Sequence, residues 1–198
     1  LDETCGKVRP RQRIVDTATG LFRKHGIRGI GVDAIAEAAG TNKMTLYRHF
    51  GSKDELVAEC LRLQADKADQ KWSALEEAHP GDPRAQLLAW IRLAADYVCM
   101  EGQGCDLANT AVELHEDDHP ARAVIEAFKV AQRNRLASLC SAAGADDPDL
   151  LADTLSLLLE GARISRQSVG PSGPCARFVR AAEAAVAAST RQVATAAE

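Results

Sequence analysis

The chain has 198 residues, 46% of them hydrophobic, 4% aromatic and 26% charged, and a formal net charge of −4. That composition excludes a disordered chain, and the length is enough to bury a core without disulfides or metals. No run approaches the ~18–20 apolar residues of a membrane helix, and the opening LDETCGKVRPRQR lacks the apolar stretch of a signal peptide, so a cytoplasmic protein without a membrane partner is expected. The six cysteines (Cys5, Cys60, Cys99, Cys105, Cys140 and Cys175) form no C-x-x-C pair and match no zinc pattern. Free thiols in a reducing compartment are expected of them, with redox sensing by Cys99 or Cys105 as the sharper alternative.

Nearly every segment reads at the helical period. From Arg11 to His25, Ile14, Ala18, Leu21 and Phe22 share one face, and Gly26 supplies a C-cap. A second helix carries Val32, Ile35, Ala36 and Ala39 and stops at Gly40; a third runs from about Asn42 to Phe50 and stops at Gly51. Ser52 with Glu55 is a capping-box pattern and starts a fourth helix, through Leu56, Leu61 and Trp72 to about Ala78. The run His79-Pro80-Gly81-Asp82-Pro83 breaks the chain and opens a fifth helix, with Leu87, Leu88, Ile91, Ala94, Ala95 and Val98 inward. After Gly102-Gln103-Gly104 a short helix is expected from about Cys105 to Glu116. Pro120 opens the next, with Val124, Ile125, Phe128, Ala131, Leu136 and Leu139 inward. Leu150 to about Gln167 is leucine-rich, and an alanine-rich last helix is expected from roughly Cys175 to Ala194. The expectation is an all-α protein of nine helices and no strand, with a small N-terminal unit, residues 1–55, ahead of a larger helical body, residues 56–198.

The charges are not spread evenly. Residues 1–55 hold ten Lys/Arg against seven Asp/Glu, while the rest holds fourteen against twenty-one. The net −4 is therefore +3 on the head and −7 on the body, a distribution suited to a nucleic-acid-binding head. The second and third helices, joined by Gly40-Thr41, have helix-turn-helix spacing over about residues 32–50. At 100° per residue, Leu46 and Phe50 anchor the third helix, Met44, Thr45 and Arg48 point outward, and Tyr47 and His49 lie on the flanks. Arg48 can donate twice to guanine and Thr45 can offer a hydroxyl or a methyl, while Tyr47, His49 and Lys53 can reach backbone phosphates.

Residues 31–56, GVDAIAEAAGTNKMTLYRHFGSKDEL, closely resemble the DNA-binding signature of the TetR/AcrR family of bacterial transcriptional regulators. The resemblance rests on Ile35-Ala36, Ala39-Gly40, Thr45-Leu46-Tyr47, His49-Phe50 and Lys53-Asp54-Glu55-Leu56. It implies a three-helix DNA-binding head and a ligand-binding, dimerising body. It also implies a dimer that binds palindromic operator DNA as a repressor and releases it when a small organic effector enters the body. By that resemblance Lys43, Met44 and Thr45 sit where bases are contacted, and Tyr47, His49 and Lys53 where phosphates are. Two positions depart from the pattern: Gly31 stands where a hydroxyl residue often caps the second helix, and Met44 stands where a small residue is common.

In the body the resemblance places a ligand cavity among the fifth to eighth helices. Trp90, Tyr97, Met100 and Phe128 are the large side chains expected to line it, with Asn109, Thr110, Gln132 and Arg163 as its polar groups. Plain core packing is the alternative for each large side chain. His115 and His119 have the i, i+4 spacing of a helical metal pair, but Pro120 and the acidic run between them favour a capped helix junction. No catalytic motif stands out, so no enzyme activity and no cofactor are expected. The leucine-rich helix and the small residues Ala181, Ala184, Ala185 and Ala188 of the last one suit a four-helix dimer interface. The function expected is a ligand-responsive repressor; a transcriptional activator and an effector-independent DNA-binding protein are the alternatives.

Overall fold

The computed structural model describes residues 9–100, 106–114 and 118–190, with the side chains of Met100 and of residues 106–108 outside the description. Among the described residues there are nine α-helices and no strand, as the periodicity predicts. They are α1 (Pro10–His25), α2 (Val32–Ala38), α3 (Lys43–Phe50), α4 (Lys53–Ala78), α5 (Pro83–Met100), α6 (Asp106–Glu113), α7 (Pro120–Ala142), α8 (Pro148–Val169) and α9 (Phe178–Ser189), with one 3-10 turn, Pro174–Arg177, ahead of α9. No helix among the described residues is long and apolar enough to cross a membrane.

The described residues fall into two compact units. The first draws on the spans Leu1–Lys67 and Asp106–Ala127, the second on Ala68–Cys105 and Phe128–Glu198. The first unit thus joins α1–α3 and the start of α4 to α6 and the first turns of α7. Its core is Ile14, Val15 and Ala18 from α1, Ile35, Ala36 and Ala39 from the α2 region, Leu46 and Phe50 from α3, and Leu56 and Cys60 from α4. The second unit packs Leu87, Ile91 and Val98 of α5 with Leu136 and Leu139 of α7, Leu151 and Leu155 of α8, and Phe178 and Val186 at the C-terminal end.

Local chemistry explains the boundaries. Pro10, Pro148 and Pro174 each open their element, where the missing N–H costs nothing. Asn42, Asp82 and Asp147 cap α3, α5 and α8 by accepting a backbone N–H three residues on, each at 2.9 Å. Ser52 does the same for α4, accepting from Glu55 N–H at 3.0 Å. Gly31 precedes α2 without any side-chain cap.

Three sequence expectations shift. α6 ends at Glu113 rather than near Glu116, and Cys105, its expected start, lies outside the described residues. The expected last helix is broken: Arg177 sits at φ −105°, ψ 7°, outside the helical basin, so a 3-10 turn precedes α9. Residues 191–198, the expected end of that helix, lie outside the described residues. On α7 Ala131 is exposed, not inward, and the inward row runs through Gln132, whose amide oxygen accepts the indole N–H of buried Trp72. A buried indole N–H requires an acceptor, and that need places a polar side chain on the inward row.

Candidate nucleic-acid interface

The helix-turn-helix is built from backbone outward. At the end of α2, Thr41 N–H reaches Ala36 O and Gly40 N–H reaches Glu37 O, both at 2.9 Å, the paired bonds of a Schellman turn. Gly40 occupies the left-handed region at φ 62°, which a side-chain residue would enter only with strain. Arg13 of α1 then fastens the turn: its Nε donates to Ala39 O at 2.7 Å and its Nη2 to Gly40 O at 3.4 Å. Because α2 and α3 have only seven and eight residues, such external ties matter more than helix propensity.

α3 is pinned by Leu46, which is fully buried, and Phe50, whose ring also lies 5.3 Å from the Arg11 guanidinium. Met44, Tyr47, Arg48 and His49 are exposed on it, Met44 by 77% and Tyr47 by 36%. Thr45 is half-buried, with its N–H held by Asn42. Lys43 is exposed and pairs with Asp33 of α2 at 3.2 Å. In solvent such a pair is worth little and yields readily to another anion.

Lys53, at the start of α4, has a different setting. Its ammonium donates to Ile27 O at 2.6 Å, in the connection between α1 and α2. Burial lowers its pKa from the usual lysine value, against the opposing pull of Asp54 and Glu113. The other side of the same residue is also held, since Ile27 N–H donates to Glu113 Oε2 at 2.7 Å. A Cβ on the adjacent Gly26, at φ 73°, would meet that carboxylate at 3.1 Å. A second tie joins the start of α7 to α4. Buried His119 accepts Ala121 N–H at Nδ1 (3.1 Å) and faces Asp54 Oδ1 with Nε2 at 3.4 Å. His119 therefore caps α7; His115, its expected partner, lies outside the described residues. The sequence carried no signal for the Glu113, Arg13 and His119 ties, because each partner is 26 to 86 residues away or on another helix.

The expected effector residues are divided between the units. Asn109 and Thr110 belong to the first, where Asn109 helps line a cavity of about 80 Å³ with Thr19, Phe22, Cys60, Gln64 and Glu113. That volume has room for a few water molecules. In the second unit Trp90 stacks on Trp72 with ring centroids 6.3 Å apart, and Trp72 holds Gln132, so these three are brought together. Tyr97 is covered by the Lys71 ammonium at 3.8 Å from its ring. Arg163 reaches Glu160 at 3.4 Å, and Glu160 also pairs with Lys129. Phe128 is half-buried, and the Met100 side chain lies outside the described residues.

Comparison with known proteins adds to this geometry. Residues 14–60 match the model for bacterial regulatory proteins of the tetR family. The HTH-type transcriptional repressor KstR2 of Rhodococcus jostii (strain RHA1) is 33% identical over 117 residues, 59% of this chain and 53% of that protein. The chain thus spans about half the length of that curated relative. A tetR-type transcriptional regulator of Streptomyces avermitilis is 32% identical, with a TM-score of 0.78 over 91% of this chain and 97% of that one. SCO4454, a TetR-family transcriptional regulator from Streptomyces coelicolor, superposes with a TM-score of 0.82 at 24% identity, over 92% of this chain and 96% of that one.

Proposed function

The chain belongs to the TetR family of bacterial regulatory proteins, and from that premise we propose that it is a transcriptional repressor that binds palindromic operator DNA as a homodimer and is released by a small organic effector. The observation that carries the reading is α3: two buried anchors, Leu46 and Phe50, leave Met44, Tyr47, Arg48 and His49 outward on a capped helix fixed behind a helix-turn-helix turn. In this reading Met44, Thr45 and Arg48 face base edges, with Lys43 exchanging Asp33 for DNA. Tyr47, His49 and Lys53 serve the phosphates. Lys53 keeps one donor on Ile27 O, and an ammonium has two more to offer.

Dimerisation is assigned to α8 and α9. Leu150, Leu157 and Ile164 are exposed at a seven-residue interval along α8. Ala181, Ala184 and Ala188 form an exposed row on α9, with Ala185 half-buried beside it, small enough for helices to approach closely. A two-fold dimer would place two α3 helices about 34–36 Å apart, one turn of DNA. Trp90, Tyr97, Met100, Phe128, Gln132 and Arg163 are the residues proposed for the effector in the second unit, and Asn109 and Thr110 those proposed in the first. Since α6 lies in the same compact unit as α3, and Glu113 grips Ile27, displacement of α6 would be felt by the head. A coupling on the order of 1–3 kcal/mol would suffice for regulation.

The test is selection of duplexes from a randomised pool by the purified chain, followed by titration of the enriched duplex at several salt concentrations. An inverted repeat and a steep salt dependence are expected. Recovery of no preferred duplex would refute DNA recognition. A panel of small apolar acids, amines and alcohols, none of which lowers affinity for the enriched duplex, would instead count against effector release.

A further inference from the structure

The exposed Met44 is the least expected residue of the interface. A large apolar side chain stands 77% exposed near the start of a short, otherwise polar outward face. The neighbours narrow what α3 can use for reading bases. Lys43 is turned toward Asp33, Thr45 is half-buried and its backbone tied to Asn42, and Tyr47 is only 36% exposed. Taking the mean direction of Leu46 and Phe50 as inward, Arg48 points directly away, Met44 lies about 40° to one side and Thr45 about 60° to the other. Arg48 and Met44 therefore form the crest of the helix.

Their chemistry is complementary and specific. A guanidinium matches the two acceptors, N7 and O6, that only guanine presents in the major groove. A thioether side chain has nothing to donate, and the one apolar feature of the major groove is the C5 methyl of thymine. Residues four apart are displaced by about 6 Å along the helix, and DNA rises about 3.4 Å per base pair, so the two bases are separated by about two steps. Resting on the DNA-binding role given to α3 above, we propose that each operator half-site presents a guanine to Arg48 and, about two base pairs away, a thymine whose methyl group is covered by Met44.

Replacing thymine by deoxyuridine deletes that methyl and nothing else, and it leaves the protein untouched. In the duplex enriched by selection, each thymine is replaced in turn and binding is measured for the wild-type chain and for Met44→Ala. One thymine per half-site is expected to weaken wild-type binding about fourfold when demethylated, and to make no difference to Met44→Ala. Arg48→Ala is expected to lose about tenfold of its preference for a guanine about two positions away. Both side chains are exposed, so both variants are expected to fold, and unchanged melting checks this. Equal sensitivity of wild type and Met44→Ala to every deoxyuridine overturns the methyl contact while leaving DNA binding intact. Failure to enrich any duplex overturns the DNA-binding reading and this inference with it.

Discussion

The two compact units use their charged side chains differently. In the first, charged side chains form exposed pairs such as Lys43–Asp33 and Arg11–Glu59 but also hold backbone: Arg13 binds Ala39 O, Lys53 binds Ile27 O, and Glu113 takes Ile27 N–H. In the second, charges hold one another across long helices. Arg133 joins Asp149 and Asp153, Arg135 joins Glu76, and Lys129 joins Glu160. The reason lies in element length. Helices of 18 to 23 residues such as α5, α7 and α8 present several turns of apolar surface and orient themselves by packing. Helices of seven and eight residues cannot, so α2 and α3 depend on ties to the loops around them. The region proposed to meet a DNA groove thus adds hydrogen bonds to backbone to its small core, whereas the larger region rests mainly on its core.

That contrast can be broken most severely at Leu46, which is fully buried under α3. Leu46→Ala is expected to cost about 2–5 kcal/mol, seen as loss of DNA binding and an early unfolding step. Lys53→Met is next. It removes a charged hydrogen bond, worth about 1.5–3 kcal/mol when buried and less at this half-exposed site. It is also expected to reduce the salt slope of DNA binding by about 1. Tyr47→Ala is expected to weaken binding to all duplexes while the melting temperature stays put. An unchanged affinity for Tyr47→Ala at physiological salt would remove Tyr47 from the interface.

In the second unit, Trp72→Phe strips the indole N–H from Gln132 and is expected to cost about 1 kcal/mol, with no effect on DNA binding. A smaller effect is expected at Glu59, where Arg11 bonds at 2.6 Å. Burial raises the Glu59 pKa, but the bonds to Arg11 and Arg62 more than offset it, so the carboxyl titrates below its usual value. A depressed folded pKa means stability present above about pH 4.3 and lost as pH falls through the folded value. Arg11→Gln should therefore lower the urea midpoint at pH 7, by the equivalent of under about 1 kcal/mol, and make progressively less difference as pH falls through the folded value. The mildest test uses the thiols, which are free among the described residues. Burial pushes Cys60 and Cys140 up to about 11, so iodoacetamide should label exposed Cys99 ahead of these two, which it should reach only on unfolding.

Much of this was legible in the residues. The start of α4 was readable because its cap acts within three residues, Ser52 to Glu55, whereas the caps Asn42 and Asp147 came from the structure. The anchors Leu46 and Phe50 followed from angular spacing alone. Gln132 did not, since its place on the inward row depends on an indole sixty residues away. The inward placement of Ala131 failed for the same reason. The settings of Lys43 and Lys53 were equally hidden, because a charged residue in a motif carries no mark of what already holds it.

The helical class, the order and approximate limits of the elements, the family and the outward face of α3 could all be read from the residues. Each of these depends on residues within a turn or two of one another, or on one contiguous motif. The packing of α6 into the same unit as the helix-turn-helix, and the hold of Glu113 and Lys53 on opposite sides of Ile27, emerge only in the folded chain. The engagement of Lys43 by Asp33 and the half-burial of Thr45, beside the outward Met44 and Arg48, are likewise features of the fold. Such pairings are set by where distant segments meet when two cores close, and short-range periodicity carries no record of that meeting.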